Sequence, residues 1–297
     1  MTDDRAATFE AHRQRLLGLA YRMLGTVSGA EDAVQDAFLR WQRTDDVREP
    51  AAWLTTTLSR LCIDELRAER ARREAYVGPW LPEPWVVAAD QTVADAADRH
   101  LELADDLSIA FLLMLERLGP EERAALLLHD VFDAEYSDIA VTLGKSAAAV
   151  RQIVHRARQR AAADRRRFPA TVEAQRDLIR RFSRALETRD QEELLLLFHP
   201  DAQLVSDGGG KVLAALQPIH GAARIVRFFL GIIRKLDSPP RILDCFVNGA
   251  PGFVAFDDGG RPIGTFAFQL ESGLIRRMFV VRNPDKLRRL PYPGLPA

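Results

Sequence analysis

Two rows of side chains in this sequence carry the chemistry of nucleic-acid recognition. The first, Trp53, Thr57, Arg60, Asp64 and Arg67, recurs at alternating spacings of four and three, so a helix presents it as one stripe, and it leads into Arg70, Arg72 and Arg73. Aromatic rings stack on bases and guanidinium groups hold phosphates, the combination that retains single-stranded DNA. The plainer reading is a half-buried tryptophan beside a charged helix end. The second row is Ala147, Ala148, Arg151, Gln152, His155 and Arg156. Arginine pairs with guanine and glutamine with adenine in a major groove, and small residues permit close approach. A third stretch, Asp207, Gly208, Gly209, Gly210 and Lys211, looks at first like a phosphate cradle. Val212 stands where such a loop needs Ser or Thr, and the flanks are apolar and extended, so a glycine-built hairpin tip is the better expectation.

The elements that must position these rows follow from periodicity. Ala30, Ala33, Val34, Ala37, Phe38 and Trp41 recur at helical spacing, with Ser28 and Glu31 as a capping box. The opposite face carries Asp32, Gln35, Asp36 and Leu39, either a partner surface or an ordinary exposed leucine among acids. A second helix starts near Pro50 and carries the Trp53 row beside a core stripe of Leu54, Leu58, Leu61 and Cys62. Residues 75–105 change character: three prolines and two tryptophans in "YVGPWLPEPWVV" exclude helix, are too apolar for a free linker, and must dock on something. Helices resume at Asp106. A short helix from Ser137 to Leu143, a turn at Gly144 and Lys145, and a helix capped by Ser146 form a helix-turn-helix with Val150, Ile153 and Ala157 facing inward. From Thr171 onward one helix, 172–198, precedes extended segments at 202–206, 211–216 and four later stretches, with a helix at 221–236 between them; this is an α+β domain.

Charge supports the division. The chain of 297 residues has a net charge of −1, yet residues 145–167 hold eight basic residues against Asp164 alone, while 83–106 hold seven acids against Arg99 alone. A basic nucleic-acid face and an acidic connector fit that asymmetry. Cys62 and Cys245 are the only cysteines and no zinc-type spacing occurs, so neither disulfide nor metal is expected. The polar N-terminus and the lack of a long apolar run place the chain in the cytoplasm without membrane contact.

The segments "AYRMLGTVSGAEDAVQDAFLRW" and "EPAAWLTTTLSRLCIDELR" resemble the sigma-2 domain of extracytoplasmic-function (ECF) sigma factors of bacterial RNA polymerase, and "LGPEERAALLLHDVFDAEYSDIAVTLGKSAAAVRQIVHRAR" resembles sigma-4. The C-terminal part resembles the SnoaL-like cone fold. "WLPEP", "DGGGK" and "NPDKL" resemble the signatures of the SigJ-type subgroup that carries such an extension.

That resemblance implies a multidomain chain: an all-α sigma-2 bundle (1–74), a linker with WLPEP (75–105), an all-α sigma-4 helix-turn-helix domain (106–167), a regulatory α+β cone (171–287) and a tail (288–297). It implies a sigma factor that binds RNA polymerase core through its β′ and β subunits and starts transcription at promoter DNA. Asp32, Gln35, Asp36 and Leu39 would grip the polymerase. Trp53, Thr57, Arg60, Asp64, Arg67 and Arg70 would read the −10 element, with Arg60 departing from the usual Asn. Ser146, Ala148, Arg151, Gln152, His155, Arg156 and Arg158 would read the −35 element. Trp80, Leu81, Pro82, Glu83 and Pro84 would meet Asp207, Gly208, Gly209, Gly210 and Lys211, and Asn283, Pro284, Asp285, Lys286 and Leu287, as regulatory contacts. The glycines let backbone approach the sigma-2 domain or the linker, with Asp207 and Lys211 giving charge-paired register. No cofactor and no catalysis are expected; His199, Asp201, His220 and Asp244 form no evident constellation. The alternative is a ligand-sensing transcription regulator whose C-terminal cavity binds a small molecule or performs a reaction.

Overall fold

The computed structural model describes residues 2–45, 47–88, 107–162, 171–236 and 238–290. The acidic connector from 89 to 106, the arginines at 165–167 and the tail from 291 lie outside the described residues. Contacts divide the chain into two compact units, Met1–Ala75 with Ala110–Arg166, and Tyr76–Ile109 with Arg167–Ala297. Both helical modules lie in the first unit, and the described linker residues from Tyr76 onward group with the C-terminal part.

The first unit is all helix: α1 (Thr2–Leu24), α2 (Val27–Gln42), α3 (Pro50–Glu74), α4 (Ile109–Leu115), α5 (Pro120–Asp130), α6 (Tyr136–Leu143) and α7 (Ala147–Ala162). Its core sets Leu16, Leu19, Tyr21 and Met23 of α1 against Val34 and Trp41 of α2 and Leu54, Leu58 and Cys62 of α3, all buried. Helix α2 begins at Val27 with Thr26 as N-cap, so Ser28 sits inside the first turn and is not the cap. In the helix-turn-helix, Gly144 ends α6 with φ 64°, a left-handed conformation that glycine adopts without steric cost. Ser146 Oγ then accepts from Ala149 N at 3.2 Å and starts α7. Val150, Ile153 and Ala157 turn inward.

The second unit is a curved sheet closed by helices. Its elements are β1 (Val86–Ala88), α8 (Val172–Glu187), α9 (Gln191–Leu197), β2 (Phe198–Asp207), β3 (Ile219–His220), α10 (Ala222–Ile233), β4 (Arg241–Val247), β5 (Ala250–Phe256), β6 (Pro262–Glu271), β7 (Leu274–Val281) and α11 (Pro284–Leu287). The sheet order is β1-β4-β5-β6-β7-β2-β3, antiparallel except where β2 pairs with β7. Phe182 of α8 is fully buried, with the rings of Phe198, Phe229 and Phe268 edge-on to it at 5.7–6.0 Å.

Two expectations fail here. The single helix over 172–198 is two, because Arg189 takes φ 55° and the Asp190 side chain caps a new start by accepting from Glu193 N. Residues 211–216 form no strand. Lys211 N and Val212 N fold back on Gly208 O, Leu213 O is held by Arg282, and the chain regains the sheet only at β3.

Candidate functional site

The residues expected to grip a partner stand together. Asp32, Gln35, Asp36 and Leu39 are exposed on α2, with Leu39 at 40%. Behind them Ala30, Val34, Ala37 and Trp41 face the core, as a 3.6-residue period dictates.

The Trp53 row lies along α3, but part of it is engaged. Arg60 Nε donates to Thr142 O at 2.9 Å and its Nη2 to Val141 O at 2.7 Å. Those carbonyls belong to the last turn of α6, where acceptors lack intrahelical partners and the helix dipole favours a cation. Thr56 meets the Thr142 hydroxyl at 3.0 Å. Arg67 bonds both Asp64 and Glu121, and Glu121 also pairs with Lys145 at 3.1 Å. Trp53 is half-buried with its ring 5.7 Å from that of Trp41, and Thr57 is half-buried too. The side chain of Arg70 lies outside the described residues.

Beneath this seam, buried Arg123 of α5 reaches the C-terminal turn of α1, donating to Met23 O at 2.6 Å and to Glu116 at 2.8 Å. Burial lowers its pKa to about 10. Arg123 was not singled out in the sequence; beside Glu121 and Glu122 in the first turn of a helix it reads as one more exposed charge.

On α7, Ala148, Arg151, Gln152, His155, Arg156 and Arg158 are all exposed, as is Ser146 before it. They differ in what holds them. Arg151 lies over the Tyr136 ring at 5.4 Å, and His155 Nε2 and Gln159 Nε2 are 3.0 Å apart. Arg158 makes a bidentate pair with Asp130, which raises its pKa.

The tightest constellation is in the second unit, where all three short motifs meet on Asp207. This carboxylate is completely buried and accepts four hydrogen bonds. Tyr76 OH donates to Oδ1 at 2.5 Å and Gly209 N to the same oxygen at 3.0 Å; Leu81 N at 2.9 Å and Lys286 Nζ at 2.7 Å donate to Oδ2. Lys286 Nζ also donates to Leu81 O at 2.5 Å and lies over the rings of Trp80 and Tyr76, at 4.4 and 5.0 Å. Asn283 caps α11 by accepting from Asp285 N and donates to Tyr76 OH at 2.9 Å. Leu81, Pro82, Glu83 and Pro84 are buried. Burial, and secondly the Asp207 carboxylate, pushes the Tyr76 phenol well above its ordinary pKa.

The glycines are needed by close approach. A Cβ on Gly209 would stand 2.3 Å from Asn283 Nδ2, at φ 60°, and one on Gly210 would stand 3.0 Å from Val77 Cβ, at φ 69°. Lys211 differs from the expected role: it pairs with Asp285, inside the domain, and does not reach the linker.

Two members of this site were missed in the sequence. Tyr76 lies just outside the five-residue motif. Asn248 reads as half of an Asn-Gly turn, yet its buried side chain accepts from Trp85 N at 3.3 Å and donates to Leu107 O at 3.2 Å, holding Trp85 of the linker and Leu107 just beyond it. Beside it Val86, Val87 and Ala88 pair with Val247, Phe246 and Cys245, so the linker becomes the edge strand of the sheet. His199, Asp201, His220 and Asp244 do not converge, and none of them lines the domain's cavity.

Two helical DNA-recognition modules joined by a tethered linker define a class, and comparison with known proteins agrees with it. Residues 8–72 match Sigma-70 region 2 and residues 108–160 match Sigma-70, region 4. The chain is 37% identical to "ECF RNA polymerase sigma factor SigJ" of Mycobacterium tuberculosis, over 95% of this chain and 93% of that one. It is 34% identical to "Probable ECF RNA polymerase sigma factor SigI" of the same species, over 96% and 95%. A crystal structure of the former superimposes with a TM-score of 0.77 at 35% identity, covering 95% of this chain and 98% of that one. The chain therefore belongs to the ECF RNA polymerase sigma factors, which bind the polymerase core and direct it to promoters.

Proposed function

We propose that the C-terminal domain governs promoter engagement by holding the linker between the sigma-2 and sigma-4 modules. Reading −10 and −35 elements together requires the modules to part, and the linker must then run free between them. The observation that carries the reading is the buried Asp207 carboxylate, which closes Tyr76, Leu81 and Lys286 into one network. Because the clamp and the linker share a chain, even a weak contact is well populated.

Within that reading, Asp32, Gln35, Asp36 and Leu39 hold the polymerase β′ subunit, and the sigma-4 module meets the β subunit. Trp53, Thr57, Arg60, Asp64, Arg67 and Arg70 serve the −10 element once α6 releases Arg60. Ser146, Ala148, Arg151, Gln152, His155 and Arg156 face the −35 duplex, and Arg158 exchanges Asp130 for phosphate. The protein works in the cytoplasm, where its polymerase is.

Run-off transcription with core enzyme tests this, comparing the full chain with versions ending at Arg167 and at Leu287 and with Gly208, Gly209 and Gly210 replaced by alanine. Promoter output should differ among them. Equal output from all four, with core binding intact, would discard the clamp as a control element.

A further inference from the structure

The second unit encloses a cavity of about 340 Å³ that the clamp does not use. Its wall is largely apolar, formed by Phe228, Phe229, Phe253, Phe266, Ile232 and Ile242. Four polar groups break that wall: Arg282, Ser183, Ser206 and Ser238, the last held by Asp258. Arg282 donates from Nε to Ile263 O at 3.3 Å and from Nη1 to Leu213 O at 2.5 Å, and no carboxylate pairs with it among the described residues. Burial lowers its pKa, as expected of a cation with no counter-ion. Ser183 Oγ is buried without a hydrogen-bond partner, and Ser206 is buried beside Asp207. Glu187 and Arg189, exposed and of opposite charge, complete the lining on the solvent side.

An apolar chamber with one unneutralised guanidinium and an unused hydroxyl selects a particular chemistry. A polycation or a sugar would leave the phenyl walls unmatched. A plain hydrocarbon would leave Arg282 and Ser183 as they are. A lipophilic monoanion matches both the walls and the cation, since its body takes the place of water against Phe253 and Phe266 while its head neutralises Arg282. At a water's share of liquid volume, about 30 Å³, the cavity holds the equivalent of roughly a dozen waters, room for an acid with about that many non-hydrogen atoms.

We propose that this cavity is a binding site for a lipophilic monocarboxylate of that size, with the carboxylate on Arg282. Binding there reaches the clamp by short steps. The backbone N–H groups of Arg282 and Asn283 both donate to Asp207 O, at 2.7 and 2.9 Å. Leu213 O, the present acceptor from Arg282, lies in the loop that leaves Gly208–Gly210. A carboxylate on Arg282 competes with that carbonyl and loosens the loop. The site itself stands on the cavity; its effect on transcription rests on the clamp reading above.

Calorimetry on the full chain, with 4-phenylbutyrate and decanoate as probes against 4-phenylbutanol and decanol, tests the proposal. In the wild-type chain each acid should bind at least tenfold more tightly than its alcohol. Arg282→Gln should erase that preference while leaving the alcohols bound, and Ala255→Leu, which fills the chamber, should weaken all four. Ser183→Ala should leave the acid preference intact. Amide exchange at 211–216 should quicken with acid bound. Equal binding of acid and alcohol, or binding of neither to a chain whose thermal transition is unaltered, overturns the proposal. Asp207→Asn assayed without probe judges the clamp separately, so either idea can fail alone.

Discussion

The chain holds itself together at two places in opposite ways. At the clamp, Lys286 and Asp207 have side chains 9% and 0% exposed, every carboxylate lone pair is used, and aromatic rings cover the ammonium. At the seam where α3 meets α5 and α6, Arg67 of α3 and Glu121 of α5 are 56% and 35% exposed, and Arg60 holds two helix-end carbonyls of α6 from an exposed position. A buried, fully bonded pair costs several kcal/mol to break from one side, whereas an exposed pair is worth about 1 kcal/mol or less. The seam should therefore be the easier of the two to open and the clamp the harder.

The largest test of that contrast is Asp207→Asn. It leaves the Lys286 charge buried without a counter-ion, which should destabilise the second unit by about 3 kcal/mol and speed amide exchange at Leu81 on the order of a hundredfold. The double change Asp207→Asn with Lys286→Met removes the stranded charge and should lose less than the single one. Were the single variant to match wild type in exchange at Leu81, the clamp would be no tighter than the seam.

Glycine offers a second comparison between the regions. Gly209 and Gly144 have nearly the same φ, 60° and 64°. A Cβ at Gly144 meets nothing within 4 Å, whereas one at Gly209 meets Asn283 Nδ2 at 2.3 Å. Gly144→Ala should therefore cost about 1 kcal/mol, the backbone strain alone, and Gly209→Ala about 2 kcal/mol or more. Urea unfolding followed separately in each unit measures both; equal losses would mean that the clamp does not need close approach.

How far the sequence carried this picture depends on where the determining contact lies. The helix-turn-helix was legible because Gly144, Ser146 and the 150/153/157 stripe are local signals within a few residues of one another. The three motifs of the clamp were legible as a set, and "WLPEP" as a segment that must dock. Its pairing was not. Val86–Ala88 is too short to show alternation, and Asn248 looks like any Asn-Gly turn until Trp85 and Leu107 are placed beside it. Residues 211–216 read as extended, yet Lys211 N and Val212 N turn back on Gly208 O, and Arg282, across a wide gap in sequence, holds Leu213 O. The partner of Arg60 was equally hidden, since a helix C-terminus offers its carbonyls in space and not in the sequence.

Arg60→Ala probes the seam itself. Losing two charge-assisted bonds from an exposed position should cost about 1 kcal/mol and raise amide exchange at the C-terminal end of α6 about fivefold. Added salt should loosen the Arg67 and Lys145 contacts with Glu121 in the same direction, while leaving exchange at Leu81 unchanged. A clamp that weakens with salt as the seam does would erase the distinction drawn between them.

The smallest effect lies at the clamp's own edge, where Lys211 pairs with Asp285 in a seam-like setting: the side chains are 52% and 42% exposed. The Lys211 hydrogen bond, with Arg288 adding to it, holds the Asp285 carboxyl below its ordinary pKa. A carboxyl lowered in the folded state adds stability that is present above its unfolded pKa, about 3.9, and is lost as pH falls through the lower folded value. Lys211→Met should therefore reduce stability by about 0.5 kcal/mol or less at pH 6, with the difference from wild type shrinking below pH 4. Solvent screening at such exposure keeps the figure small. The Asp285 side-chain carboxyl carbon, followed by NMR, should titrate at higher pH in the variant than in wild type. An unchanged midpoint would mean that Lys211 points elsewhere in solution, and that the clamp ends at Asn283.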